Sequence, residues 1–235
     1  VDEPHSATAE SFRALRTSMY FTAPQGGYRT VAFTSALPGE GKSFCAINYA
    51  VALAQQGERT LLIDADLRLP TVGGVFLGAD DTRGLSEVLL GESEMADTIQ
   101  LTSVQNLSVL AAGRLLRNPA EVLARAPLAD LLEIARTRFD RVVIDTAPVH
   151  AVSETLLLAA EAEAVCLVVR ASKTASSVAR RAFQRLREAN AHVAGFVLNG
   201  LPAGNGGYYY HYQAKGYGRD EVYGATRLHA ADRVL

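Results

Sequence analysis

The feature that most limits the fold is an apolar strand pattern followed at once by a glycine-containing loop and a helical pattern. Residues 30–34 (TVAFT) are typical of a buried strand, and the loop at residues 36–43 (ALPGEGKS) follows them. Residues 43–56 have the apolar spacing of a helix. Gly39 and Gly41 let the backbone curl, so that its N–H groups point inward beside the positive end of that helix. This order of elements predicts a phosphate-binding loop.

Apolar runs alternate with helical patterns along most of the chain. Further strands are predicted at residues 60–64, 107–110, 141–145, 164–170 and 192–198, and helices at residues 6–20, 84–90, 118–123, 128–137 and 175–190. Continuous apolar strands between helices are typical of a parallel sheet that is covered on both faces. We therefore predict the α/β class, with a three-layer P-loop NTPase fold, a mainly parallel sheet and helices on both faces.

Composition supports one folded domain and excludes several other classes. The chain has 235 residues, 49% of them hydrophobic and 20% charged, which is enough apolar material for a core. A formal net charge of -2 gives no field that would attract nucleic acid, so none is expected as a partner. No apolar run approaches the roughly 20 residues of a membrane span, and a cytoplasmic setting fits. Because the chain begins at Val1 without an initiator Met, we expect that it was cut from a longer protein.

Two further predicted strands end in carboxylates. Asp64 ends the strand at residues 60–64 and Asp66 lies two residues after it, and Asp145 ends the strand at residues 141–145. Ligands of open α/β sheets lie outside the carboxyl ends of the strands, so these acids are expected to meet the phosphate loop. Three carboxylates would repel one another there without a cation, and Mg²⁺ prefers oxygen ligands. The sequence therefore predicts a purine nucleoside triphosphate with Mg²⁺, and no guanine-reading Asn-Lys-x-Asp motif is present.

The side-chain chemistry of the loop residues indicates what each would bind. The Lys42 ammonium would reach the β- and γ-phosphates, and the Ser43 hydroxyl would ligate Mg²⁺. The residues expected around the nucleotide are Pro38, Gly39, Glu40, Gly41, Lys42, Ser43 and Phe44.

The composition changes abruptly after residue 200. Six of the nine tyrosines lie close together, interleaved with glycine and without a helical or strand period: Tyr208, Tyr209, Tyr210, Tyr212, Tyr217 and Tyr223. We therefore predict a domain at residues 1–200 and a flexible tyrosine-rich tail at residues 201–235.

Together these features resemble the bacterial tyrosine kinases that work with membrane polysaccharide co-polymerases. The resemblance extends over residues 6–223 and includes the phosphate loop, residues 64–70 and 142–148, and the tyrosine-rich end. It implies an ATP- and Mg²⁺-dependent protein-tyrosine kinase that phosphorylates its own tail, between subunits, and so regulates capsule or exopolysaccharide synthesis or export. It also implies a place at the inner face of the cell membrane. The implied partners are further copies in a ring, a membrane-spanning co-polymerase activator, fused or separate, and a protein tyrosine phosphatase.

The resemblance further implies roles for the three acids. Asp64 would orient or deprotonate the attacking tyrosine hydroxyl, Asp66 would lie near Mg²⁺, and Asp145 would hold a metal-bound water. With Lys42 they form the expected catalytic set, and Ser43, Asp66 and Asp145 the metal set. Sequence gives their proximity but not their geometry, so the three roles can be exchanged.

Other residues match the family pattern more loosely. Asn199 matches a position near the adenine, although it could equally be a turn residue at the end of a strand. Glu10, Arg13 and Arg16 match a Glu-x-x-Arg-x-x-Arg pattern used in subunit contacts, which makes residues 1–22 the expected oligomerisation helix. A solvated charged face is the alternative for these three. His150 departs from the pattern and could be a surface residue or tune the site.

Several other classes of protein are alternatives to a tyrosine kinase. Partition and cell-division switch ATPases share the fold and three motifs, but they carry a lysine where this chain has Leu37, and they lack a tyrosine-rich end. Iron–sulfur carrier ATPases need paired Cys-x-x-Cys ligands, whereas Cys45 and Cys166 are isolated and are predicted to be buried core residues. The His-Arg-Asp and Asp-Phe-Gly motifs of eukaryotic-type kinases are absent. A nucleotide-binding scaffold without activity is a further alternative.

Phosphorylation of the tail is expected to disperse the implied ring. Each phosphotyrosine adds about -1.5 to -2 charges, so six add about -9 to -12. Tails that carry such charge repel one another within the Debye length of about 8 Å. We expect the phosphorylated protein to sediment as smaller species than the unmodified protein, with a smaller difference at high salt. Equal sedimentation of the two forms would contradict this.

Overall fold

The computed structural model describes residues 6–24, 26–78 and 83–201. Within them the strands are β1 (Thr30–Ser35), β2 (Thr60–Ala65), β3 (Gln100–Leu101), β4 (Leu107–Leu110), β5 (Arg141–Thr146), β6 (Ala164–Arg170) and β7 (Val193–Asn199). They form one sheet in the order β3-β4-β2-β5-β1-β6-β7. Neighbouring strands are parallel, except that β3 runs antiparallel to β4.

Helices cover both faces of this sheet. They are α1 (Ala7–Thr22), α2 (Lys42–Ala54), α3 (Val72–Phe76), α4 (Leu85–Leu89), α5 (Met95–Thr98), α6 (Pro119–Arg125), α7 (Leu128–Arg138), α8 (Glu154–Glu161) and α9 (Ser176–Glu188). One core cluster joins the sheet to α1, α2 and α3, and a second joins it to α4 through α9. The predicted three-layer fold with a mainly parallel sheet is confirmed.

Strands β1 and β2 are buried along their whole length, and β5 is buried from Val142 onward, because both faces of the sheet are covered. In β1, Ala32 belongs to one core cluster, whereas its neighbours Val31 and Phe33 belong to the other. This alternation is the period of two that a strand requires. The order β2-β5-β1 sets the carboxyl ends of three parallel strands side by side, and Asp64 pairs in register with Asp145. The candidate site lies at this edge.

Most predicted elements are present, and the elements that were missed are short or carry a misleading pattern. Helix α3 contains Gly73 and Gly74, which disfavour a helix in isolation. Strand β3 has two residues, too few to show a period. Helix α8 contains the run Leu156-Leu157-Leu158, which does not separate a polar from an apolar face.

The structure agrees with the prediction for the two cysteines. Cys45 and Cys166 are free and buried, as predicted, and burial raises the pKa of each thiol to about 12. The tail tyrosines from Tyr208 to Tyr223 lie outside the described residues. Among the residues that are described, no helix has the length and apolar character needed to cross a membrane.

Candidate functional site

The phosphate loop connects β1 to α2, as the sequence predicts. Gly39 and Gly41 adopt φ values of +77° and +95°, a left-handed conformation that side chains rarely allow. Gly41 is the N-cap residue of α2, so the first helical N–H groups open onto the loop. Inside the loop, the Leu37 N–H donates to Glu40 Oε2 at 2.8 Å. This backbone has the curled form and the helix terminus that bind phosphate groups.

Residues at or just after the ends of β6 and β7 form hydrogen bonds to the phosphate loop. The buried Glu40 accepts a hydrogen bond from the Thr174 hydroxyl, and its own carbonyl accepts one from Asn199 Nδ2 at 2.9 Å. Arg170 donates to the Gly39 carbonyl at 2.9 Å. These supports were not predicted, because each joins residues that are distant in the sequence. Asn199 thus braces the loop here, and its contact with adenine stays a prediction.

The structure brings Lys42, Ser43, Asp66 and Asp145 together. Lys42 Nζ lies 2.8 Å from Asp66 Oδ2 and 3.6 Å from Asp145 Oδ1. It also donates to the Ser43 hydroxyl at 3.0 Å. Burial lowers the pKa of Lys42, but the negative charges of Asp145 and Asp66 outweigh it, and the pKa is raised. The lysine is therefore charged and neutralises part of the acid cluster.

Asp64 lies beside this cluster but is bonded to the backbone. Its Oδ2 accepts the N–H groups of Thr71 and Val72, both at 2.9 Å, and its Oδ1 accepts the Asp66 N–H at 3.2 Å. Burial raises the pKa of the carboxyl group, and these N–H groups oppose the rise. In this arrangement Asp64 holds the segment between β2 and α3. Its predicted contact with the tyrosine hydroxyl stays a prediction.

Asp145 is fully buried, and neither of its carboxylate oxygens accepts a well-formed hydrogen bond from a described residue. Burial raises its pKa to about 7, although Lys42 and the nearby Ser43 hydroxyl oppose the rise. A buried acid without hydrogen bonds is costly for the fold alone. Such a group is typical of a functional site.

The donors at this site fit Mg²⁺ bound with a nucleotide. Ser43, Asp66 and Asp145 supply hydroxyl and carboxylate oxygens, and the two oxygens of Asp145 lack hydrogen-bond partners among the described residues. Among the residues that the structure describes, no three His, Cys, Asp or Glu side chains are placed to hold a metal by themselves. An ion here would therefore share its coordination with waters and phosphate oxygens, as Mg²⁺ usually does.

A cavity of about 310 Å³ adjoins these groups. One wall comes from the phosphate loop and the start of α2, and the other from the segments that follow β2 and β5. Phe44 and Leu69 are exposed apolar side chains on this cavity. The lining residues are Pro38, Gly39, Gly41, Lys42, Ser43, Phe44, Asp66, Arg68, Leu69, Thr71, Ala147, Pro148, Ala151 and Val152.

The charged residues Glu10, Arg13 and Arg16 of α1 do not line this cavity. Ser6 caps the helix, and Arg13 pairs with Glu10 at 2.8 Å. Arg16 donates to the Ala52 carbonyl at 2.6 Å, which ties α1 to α2 of its own chain. All three residues of the predicted stripe therefore have bonds within their own chain, and the subunit contact stays a prediction.

His150, whose role the sequence left open, is a packing residue in this structure. Its Nε2 lies 3.1 Å from the Val178 carbonyl, so it links the segment after β5 to α9. The ring does not line the cavity beside the phosphate loop.

Comparison with known proteins identifies the family and the fold of the chain. A family model described as an AAA domain matches residues 28–193. The tyrosine-protein kinase YwqD of Bacillus subtilis is 38% identical over 213 residues, which are 91% of this chain and 90% of YwqD. The kinase domain of the Escherichia coli tyrosine kinase ETK superposes with a TM-score of 0.81 at 33% identity, covering 86% of this chain and 78% of that one.

A more distant likeness is to the septum site-determining protein MinD of Pyrococcus horikoshii, solved with Mg-ADP. Its TM-score is 0.61 at 25% identity, covering 72% of this chain and 69% of that one. The AAA model matches more than half of the chain, and the tyrosine kinases are more similar to it than MinD is. The chain belongs to the bacterial tyrosine-protein kinases, which it resembles in sequence, and its residues 28–193 match an AAA domain.

Proposed function

We propose that this protein is an ATP- and Mg²⁺-dependent protein-tyrosine kinase whose targets include its own C-terminal tyrosines. The observation that supports the proposal is the meeting of Lys42, Ser43, Asp66 and Asp145 at one cavity beside a curled phosphate loop. Phosphoryl transfer depends mainly on positioning and on neutralising charge, which is what such a set provides.

Different residues would bind the phosphates, hold Mg²⁺ and accept the proton of the tyrosine. The loop N–H groups and Lys42 would bind the phosphates, with Lys42 exchanging Asp66 for a phosphate oxygen. Ser43, Asp66 and Asp145 would hold Mg²⁺, which neutralises phosphate charge when bound. A tyrosine hydroxyl has a pKa near 10, so a carboxylate, for which Asp64 is the candidate, would accept its proton. The exposed apolar surface of Phe44 and Leu69 suits the acceptor ring.

Membership of this family supports a proposal about the assembly and the location of the protein. We propose that the protein forms a ring-like homo-oligomer at the inner face of the cell membrane, with a membrane-spanning co-polymerase as activator. A protein tyrosine phosphatase would reverse the modification. Phosphorylation of the tail would regulate capsule or exopolysaccharide synthesis or export.

The activity is tested by incubating the purified protein with γ-labelled ATP and Mg²⁺, followed by phosphoamino-acid analysis. We expect label on tyrosine that is lost with EDTA, with Lys42→Met and with phenylalanine at the six tail tyrosines. Lys173→Met, which removes an exposed lysine outside the cavity, should retain the label. Hydrolysis of ATP without label on the protein would contradict the proposal and favour a switch ATPase.

A further inference from the structure

Two charged side chains beside the phosphate loop have no part in the function proposed above. Arg68 follows β2, and Glu154 is the first residue of α8. Arg68 Nε lies 2.6 Å from Glu154 Oε1, although the two residues are 86 positions apart in the sequence. The side chain of Glu154 is 3% exposed, whereas that of Arg68 is 48% exposed. A buried carboxylate therefore fixes the orientation of a surface guanidinium.

The remaining donors of Arg68 are not used within the described part of the chain. A guanidinium has five N–H donors, and Glu154 accepts the one on Nε. Neither Nη nitrogen has an acceptor among the described residues. Arg68 lines the same cavity as Lys42 and Asp66. An arginine held in this way is suited to bind a phosphate or carboxylate group with its two terminal nitrogens.

The position of Arg68 is better suited to bind an anionic group near the acceptor tyrosine than to bind the phosphate that is transferred. In the order β2-β5-β1, strand β5 lies between β2, which precedes Arg68, and β1, which precedes the phosphate loop. Strands lie about 4.8 Å apart, so the two starting points are about 10 Å apart. In an extended peptide, side chains two residues apart lie about 7 Å from each other. A residue close to the acceptor tyrosine can therefore reach Arg68, while the loop and Lys42 serve the nucleotide.

We propose that Arg68, oriented by Glu154, is a specificity residue that binds an anionic side chain beside the acceptor tyrosine, above all a phosphotyrosine. This inference rests on the proposed kinase function. The sequence contains Tyr208-Tyr209-Tyr210 in a row, so the first phosphotyrosine makes its neighbours better acceptors. The tail tyrosines of one chain are then phosphorylated in quick succession, instead of all chains being modified to the same extent.

The test compares two peptides that differ only in whether the tyrosine near the acceptor is phosphorylated or replaced by phenylalanine. For the wild-type full chain, we expect kcat/KM to be about tenfold higher for the phosphorylated peptide, the effect of one charge-assisted pair. With Arg68→Met this ratio should fall to about one. With Glu154→Gln it should be about threefold, because the charge of Arg68 remains but its orientation is weakened.

Two controls keep the test decisive. Arg68→Met leaves the Glu154 carboxylate buried without its cation, which destabilises the fold, so the double variant Arg68→Met/Glu154→Gln is measured in parallel. Arg181→Met, at an exposed arginine of α9, should retain the wild-type ratio. A double variant with the wild-type ratio overturns the proposal, as does a wild type that uses both peptides equally well. A wild type that phosphorylates neither peptide overturns the kinase function as well.

Discussion

Replacing Gly84 by alanine is expected to lower the free energy of unfolding by about 3 kcal/mol, the upper part of the range for overpacked sites. A Cβ at this position would lie 2.1 Å from the Ala111 carbonyl oxygen and 2.5 Å from the Gly113 nitrogen. Both atoms belong to the backbone that follows β4, so no side-chain rotation relieves the contact. The adjacent hydrogen bond from the Leu85 N–H to the Ala111 carbonyl, 2.8 Å long, holds the two segments together. Urea unfolding measures the loss.

A second glycine provides the matched control. Gly74 lies within α3, and a Cβ added there would meet no atom within 4 Å. Gly74→Ala should therefore leave stability unchanged or raise it by about 0.5–1 kcal/mol, because alanine is the better helix former. If both variants lose the same stability, close packing at Gly84 is not the cause.

Replacing Asp145 by asparagine is expected to have opposite effects on activity and on stability. Tyrosine phosphorylation should fall by about 100-fold or more, because the acid would no longer supply charge at the phosphate site. At pH 8 and without nucleotide, the free energy of unfolding should rise by about 1–2 kcal/mol, because a buried, poorly solvated charge is removed. Phosphotyrosine formation and urea unfolding measure the two effects.

The pH dependence of stability gives a separate check on Asp145. Its pKa is raised from 3.8 to about 7 in the folded chain, so the native state binds the proton more tightly than the unfolded state does. The stability of the wild type, without nucleotide, should therefore fall as pH rises from about 4 to about 7. Asp145→Asn should flatten this slope. An unchanged slope would show that other groups cause it.

Much of the fold could be predicted from the sequence because its signals are local. Strands β1, β2 and β5 are continuous apolar runs, and the glycine loop between β1 and α2 has a fixed spacing. Once these strands are parallel neighbours, the acids at their ends must lie near the loop. The sequence by itself therefore determined the layers of the fold and the location of the candidate site.

The contacts that each charged residue makes within that site were decided only by the tertiary structure. It ties Asp64 to the backbone of Thr71 and Val72, and it pairs Asp66 with Lys42. It also joins Arg68 to Glu154, two residues that no local pattern connects. A carboxylate takes its role from the groups that reach it in space. Those groups come from segments far apart in the chain, so residue spacing places an acid at the site without fixing what it binds.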